Sequence, residues 1–153
     1  MTTTTATDPQ AVPFQVRASL LDRGRTMDLL ARSDTMYAHI KVYAEGGENA
    51  LHTHTREDHL FVVLAGEATF RLGRDEALKV VGKNEGVLLP AGSYYWFQSS
   101  GQENLVMLRV GAKTPGPQSD DDDRMGVNGA PLPADSAANK KIPPVVRPGA
   151  FFG

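Results

Sequence analysis

The segment LHTHTREDHLF, residues 51–61, holds three of the chain's four histidines, at positions 52, 54 and 59. Neutral imidazoles are ligands for Zn, Fe, Ni, Cu and Mn, and the chain has no cysteine to add a thiolate. Alternate side chains of a β-strand share a face, so His52 and His54 project together as a chelating pair. His59 returns to face them if the polar TRED between them turns the chain into an antiparallel partner. A helix does not gather the three, because at about 100° per residue His54 points away from the other two, and no HExxH motif is present. The bland alternative is that each histidine is only a satisfied polar group. Clustering favours a strand-turn-strand clamp for one divalent transition metal ion, with Fe, Mn, Zn and Ni all compatible.

A clamp of that kind needs strands on both sides of it. At 153 residues the chain suits one domain with its own core. Between Phe14 and Val110 it runs in short apolar segments such as MYAHIKVY, HLFVVL, GVLLP, YYWFQ and LVMLRV, cut by glycines and polar clusters. Many short strands with little helix predict a sandwich or barrel; ASLLDRGRTMDLLARSD reads equally as a short helix or a strand pair. We therefore expect a flexible N-terminus over 1–12, an all-β barrel over 13–110 and an extended Pro/Gly-rich C-terminal tail over 111–153. Within that tail the acidic run Asp120–Asp123 reads as a solvated loop. Its end, KIPPVVRPGAFFG, carries Ile142, Val145, Val146, Phe151 and Phe152, and is expected to dock on the barrel or on a partner subunit to bury them.

Charge narrows the partners. Sixteen Lys and Arg against 18 Asp and Glu leave a formal charge of -2, with no basic stripe to neutralise a run of phosphates, so nucleic acid is not expected. No apolar run approaches the roughly 20 residues that span a bilayer. Together with the absence of cysteine, a cytoplasmic location and no membrane partner are expected.

In two places the sequence resembles the cupin superfamily. Gly46, His52, His54 and Gly66 fall in register with its first motif, Gly, five residues, His-x-His, four residues, Glu, six residues, Gly, with His59 at the Glu position. Asn84, Pro90, Gly92, Tyr95 and Ser99 fall on the second, with Tyr95 where the family has a metal-binding His. The resemblance implies a small antiparallel β-barrel of double-sheet jelly-roll type, often a homodimer, with a metal in its mouth. Three histidines and no carboxylate would keep the ion's full charge and favour an anionic, chelating substrate. Asp58 competes with His59 for the Glu position, since neighbouring strand residues face opposite ways. Tyr95 is open to three readings: a fourth ligand, a hydrogen-bond or proton donor to substrate, or a filler of the space a histidine and metal occupy in relatives. By parity Phe61 and Val63 follow His59 inward and Phe97 follows Tyr95, making an apolar-walled pocket. His39 is expected to point outward, because Ala38, Ile40 and Val42 look like the core face of its strand.

Two functions follow from the resemblance. One is a mononuclear metal-dependent, dioxygenase-like oxidoreductase acting on a small organic acid or diketone-like substrate, with Tyr95 as its catalytic residue. The other is a non-catalytic cupin that binds or senses a small molecule. A metal-free isomerase or lyase using Tyr95 as acid trails both, because it leaves the histidines without a common role.

Overall fold

The computed structural model describes residues 8–44, 49–75, 77–118, 122–139 and 142–153. The motif residue Gly46, Asp120 and Asp121 of the acidic run, and residues 1–7 lie outside the described residues. In chain order the strands are β1 (Ala18–Arg23), β2 (Arg25–Arg32), β3 (Met36–Tyr43), β4 (His52–His54), β5 (Glu57–Ala65) and β6 (Glu67–Leu72). They continue as β7 (Leu78–Gly82), β8 (Gly86–Leu89), β9 (Tyr95–Ser99), β10 (Leu105–Lys113), β11 (Arg124–Gly126) and β12 (Val145–Phe152), with one 3-10 turn at Ala137–Asn139. Two five-stranded antiparallel sheets, β2-β3-β10-β5-β8 and β11-β4-β9-β6-β7, form the double-sheet jelly roll, and β1 and β12 pair as a separate ribbon. Among the described residues no helix is long and apolar enough to cross a membrane.

The ambiguous segment before Ser33 is a strand pair. Gly24 turns the chain between β1 and β2 at φ 79°, where a side chain would be strained, and an added Cβ would also collide with the carbonyl oxygen of Pro143.

Two cores result from the alternation of side chains. Tyr43, Phe61, Val63, Phe70, Phe97 and Met107, each at most 1 % exposed, pack between the two sheets. Ile40, Val42 and Val106, all fully buried, face the other way and pack with Leu21 of β1 and with Phe152 of β12. Each fully buried apolar side chain of this size contributes about 1.5–3 kcal/mol. Strand β3 is therefore buried on both faces. Its aliphatic face, read from sequence as the core side, lies under the β1–β12 ribbon, and the Tyr37, His39, Lys41 and Tyr43 face is the one that looks into the barrel. His39 is thus not outward: it is half-buried and lines the cleft described below.

The division of the chain at residue 110 also needs correction. Strand β10 runs on to Lys113, and β11, drawn from the supposed tail, pairs with β4 through Arg124↔His54 and Gly126↔His52. A three-residue edge strand carries no periodicity, and the Asp and Gly around it look like loop. At the C-terminus β12 pairs with β1. Phe152 packs against the outer core, whereas Val145, Val146 and Phe151 remain 50 % exposed.

Candidate metal centre

Strand β4 sits between β9 and β11, so His52, Thr53 and His54 are all buried. His52 Nδ1 lies 2.6 Å from the Ala50 carbonyl oxygen, and His54 Nδ1 lies 2.6 Å from Asp123 Oδ1. Both oxygens are pure acceptors, so in each neutral ring the proton resides on Nδ1 and the lone pair on Nε2. Each Nε2 is buried and, among the described residues, has no hydrogen-bond partner. Burial pushes His52 down to about 2, against the opposing hydrogen bond to Ala50. Burial likewise lowers His54, outweighing the hydrogen bond to Asp123. Two neutral imidazoles thus present unpaired Nε2 lone pairs to the barrel interior, each with its ring fixed from behind by an acceptor. That is the arrangement a metal-ligating histidine requires.

Asp123 is held in turn. Burial opposes its charge, but the hydrogen bond from His54 and that from the Arg56 amide prevail and keep its carboxyl below the usual carboxylate range. Its Oδ2 accepts the Arg56 N–H at 2.8 Å. The acidic run read as a solvated loop therefore supplies, in Asp123, a half-buried positioning residue.

His59 has different company. It is 1 % exposed, and its Nε2 lies 2.8 Å from Arg109 Nη2 and 3.0 Å from Glu57 Oε2. A guanidinium can only donate, so the shorter contact makes Nε2 an acceptor. The same Nη2 donates to the Tyr37 hydroxyl at 2.9 Å, and Tyr37 donates in turn to Glu57. Burial and then the Arg109 charge hold His59 far below the usual imidazole range. Gly111 makes this possible. It stands between Tyr37 and His59 in the cross-strand register, and a Cβ there would overlap the Tyr37 ring.

Tyr95 is 3 % exposed, with its ring 4.5 Å from that of His52 and its hydroxyl 3.5 Å from His59 Nδ1. Burial raises its pKa, so in the metal-free protein it is a neutral phenol beside the imidazoles.

The structure sets the three histidine rings in a file, His52 to His54 at 5.2 Å and His54 to His59 at 4.1 Å between centroids. Donor atoms of His54, His59 and Glu57 lie within 4.8 Å of one another, as do those of His54, Asp122 and Asp123. His52 belongs to neither group. Asp58 is exposed and accepts the Ala91 amide at 2.8 Å, so it does not stand beside the imidazoles. Phe61, Val63 and Phe97, expected as pocket walls, are packed core at 1 %, 1 % and 0 % exposure; Phe61 and Val63 lie on the inner face of β5 and Phe97 on that of β9. The cleft beside the cluster, about 300 Å³, is lined instead by polar groups including Tyr37, His39, His54, Glu57, Arg109 and Asp123. Glu57, Arg109, Tyr37 and Asp123 were missed from sequence. Glu57 alone left a signal, sharing strand parity with His59.

His54, His59 and Glu57 fit a metal ion, since their donor atoms cluster and the His54 Nε2 lone pair has no other partner among the described residues. Nitrogen and oxygen donors without thiolate suit a divalent first-row ion.

Comparison with known proteins agrees with this fold. Residues 39–111 match the family model of the cupin domain. The cupin domain of Cnp3 from Schizosaccharomyces pombe superposes with TM-score 0.55 at 17 % identity, over 61 % of this chain and 68 % of that one. A conserved protein with a double-stranded β-helix domain from Klebsiella pneumoniae gives TM-score 0.55 at 17 % identity, over 63 % and 78 % of the two chains. KdgF from a Halomonas species gives 0.53 at 15 % identity, over 60 % and 82 %. No curated protein matches the chain. With the matched segment spanning most of β3 to β10 and neighbours of the same double-sheet architecture, residues 39–111 of the chain form a cupin domain.

Proposed function

We propose that the protein is a mononuclear metal-binding cupin that takes a small organic acid or diketone-like molecule into the cleft beside its histidines, as a dioxygenase-like oxidoreductase. The observation that carries the reading is the pair of buried Nε2 atoms on His52 and His54 that have no partner among the described residues, while their Nδ1 protons are committed elsewhere. His59 and Glu57 would complete the ligand set. A bound divalent ion would supply open positions where a chelating substrate and oxygen meet. The chain's own groups would then act on the substrate: Arg109 and Arg56 line the cleft as cations, suited to an anionic group. Tyr95 is a neutral phenol able to donate a hydrogen bond. A cytoplasmic homodimer is part of this proposal, supported by the lack of cysteine and by the family resemblance.

One observation favours a second reading, a non-catalytic small-molecule binder. The Arg109 guanidinium engages the Nε2 lone pair of His59, which leaves that ring one ligand short while the contact lasts. Cobalt(II) titration of the metal-free chain separates the two. Saturation near one equivalent, with a visible d–d band that disappears in His54→Ala, supports the metal centre. A chain that shows no band, yet is stabilised by small organic acids, is the binder.

A further inference from the structure

Lys41 of β3 points into the barrel but belongs to none of the groups above. It is 9 % exposed, and among the described residues its ammonium makes no hydrogen bond or ion pair. Around it stand the rings of Tyr43, Phe61 and Phe97, 5.3, 5.8 and 5.8 Å from Nζ. Lysine is almost never buried to this degree without a counter-charge. Lys41 lines a pocket of about 360 Å³ together with Arg25, Asp28, Arg124 and Asp135. Arg124 pairs with Asp122 through Nη1, but its Nε is buried and, among the described residues, has no acceptor. The pocket adjoins the histidine cleft, since Met27, Arg124 and Ala134 line both, and no histidine lines it.

We propose that this pocket is a binding site for a small organic carboxylate, held by Lys41 Nζ and Arg124 Nε with its hydrocarbon part along Tyr43 and Met27. Burial, and then the charges of Arg109, Arg124 and Arg25, hold the Lys41 ammonium well below its usual range. Tyr43, raised by burial, stays a neutral phenol and supplies no counter-charge. Asp28 lines the pocket but, among the described residues, makes no ion pair with Lys41. An arriving carboxylate supplies the missing charge, and the amine takes up a proton as it binds. This site stands independently of the metal reading.

The test uses the full chain and sodium benzoate, titrated by calorimetry near neutral pH in two buffers of different ionisation enthalpy, with benzamide as the uncharged isostere. The expected result is saturable benzoate binding with up to one proton taken up, and benzamide weaker by about tenfold or more. Lys41→Met, which keeps the stem and removes the charge, should weaken benzoate by about tenfold or more while leaving the cobalt(II) titration unchanged. Lys41→Arg, the safeguard if the methionine variant misfolds, should bind benzoate without proton uptake. No saturable benzoate binding, equal affinity for benzamide, or undiminished binding by both variants overturns the proposal. Benzoate binding in a chain that takes no cobalt would leave this site standing and remove the metal reading.

Discussion

Replacing Asp123 by Asn should damage metal binding more than removing the side chain altogether. Asp123 uses both oxygens, Oδ1 on His54 Nδ1 at 2.6 Å and Oδ2 on the Arg56 amide at 2.8 Å. An asparagine has one acceptor and one donor group, and the Arg56 N–H can only be met by the acceptor. The amide NH₂ then faces His54 Nδ1 and donates to it, which drives the ring proton to Nε2, the atom that must be free to ligate. Recovering the useful tautomer means giving up a buried hydrogen bond and leaving two donors facing each other, about 1.5–3 kcal/mol or more. That corresponds to a loss of roughly 10–100-fold in affinity, in line with other supporting residues of metal-bound histidines. Asp123→Ala leaves the tautomer unforced and should lose less. Zinc or cobalt titration against a competing chelator measures the affinities, and nitrogen-15 NMR of the metal-free variants reads which nitrogen of His54 carries the proton. Wild-type affinity in Asp123→Asn, or an Nδ1–H tautomer in that variant, would refute the reasoning.

Arg109→Met removes the donor from His59 Nε2 and a buried positive charge, so metal affinity measured by the same competition should rise by about tenfold or more; a fall would show that Arg109 supports the ligand set. Gly111→Ala pushes the Tyr37 ring off its place and should cost about 1–3 kcal/mol in denaturant unfolding, with a change within error counting against the packing described. His52, pushed down to about 2 by burial, and His54 and His59, shifted the same way, keep their contribution above the unfolded value near 6.5. The metal-free chain should therefore lose stability as pH falls below that point, by about 1.4 kcal/mol per unit for each histidine that must be protonated on unfolding, and a flat urea midpoint from pH 7 to 5 would contradict this. Truncation after Asn139 deletes β12, exposes Phe152's site on the outer core and should lower the Tm; an unchanged Tm would mean that the ribbon adds nothing.

What was legible in the sequence is what depends on local alternation. The His-x-His pair and the many short strands of a sandwich or barrel follow from period-two patterning and turn residues, and the jelly roll from the resemblance of two motifs to the cupin family. His59 and Asp58 could be set against each other by parity, and the structure has His59 buried and Asp58 on the surface. What was not legible is the company these residues keep. Asp123 reaches His54 across 69 positions and Arg109 reaches His59 across 50, and both sit in segments whose composition suggested loop or plain strand. The error on β3 has a separate cause. Parity assigns residues to two faces but does not say which face is the interior, and here both are buried, so the aliphatic face was taken for the barrel core and His39 and Lys41 were placed outside.

The central claim is tested most directly by metal analysis of the untagged chain, purified without chelator and measured beside His52→Ala and His54→Ala. The account predicts close to one transition-metal ion per chain, lost in both variants while the fold by circular dichroism is kept. A folded wild-type chain that carries no metal after growth in metal-replete medium, and takes up none on titration, would contradict it.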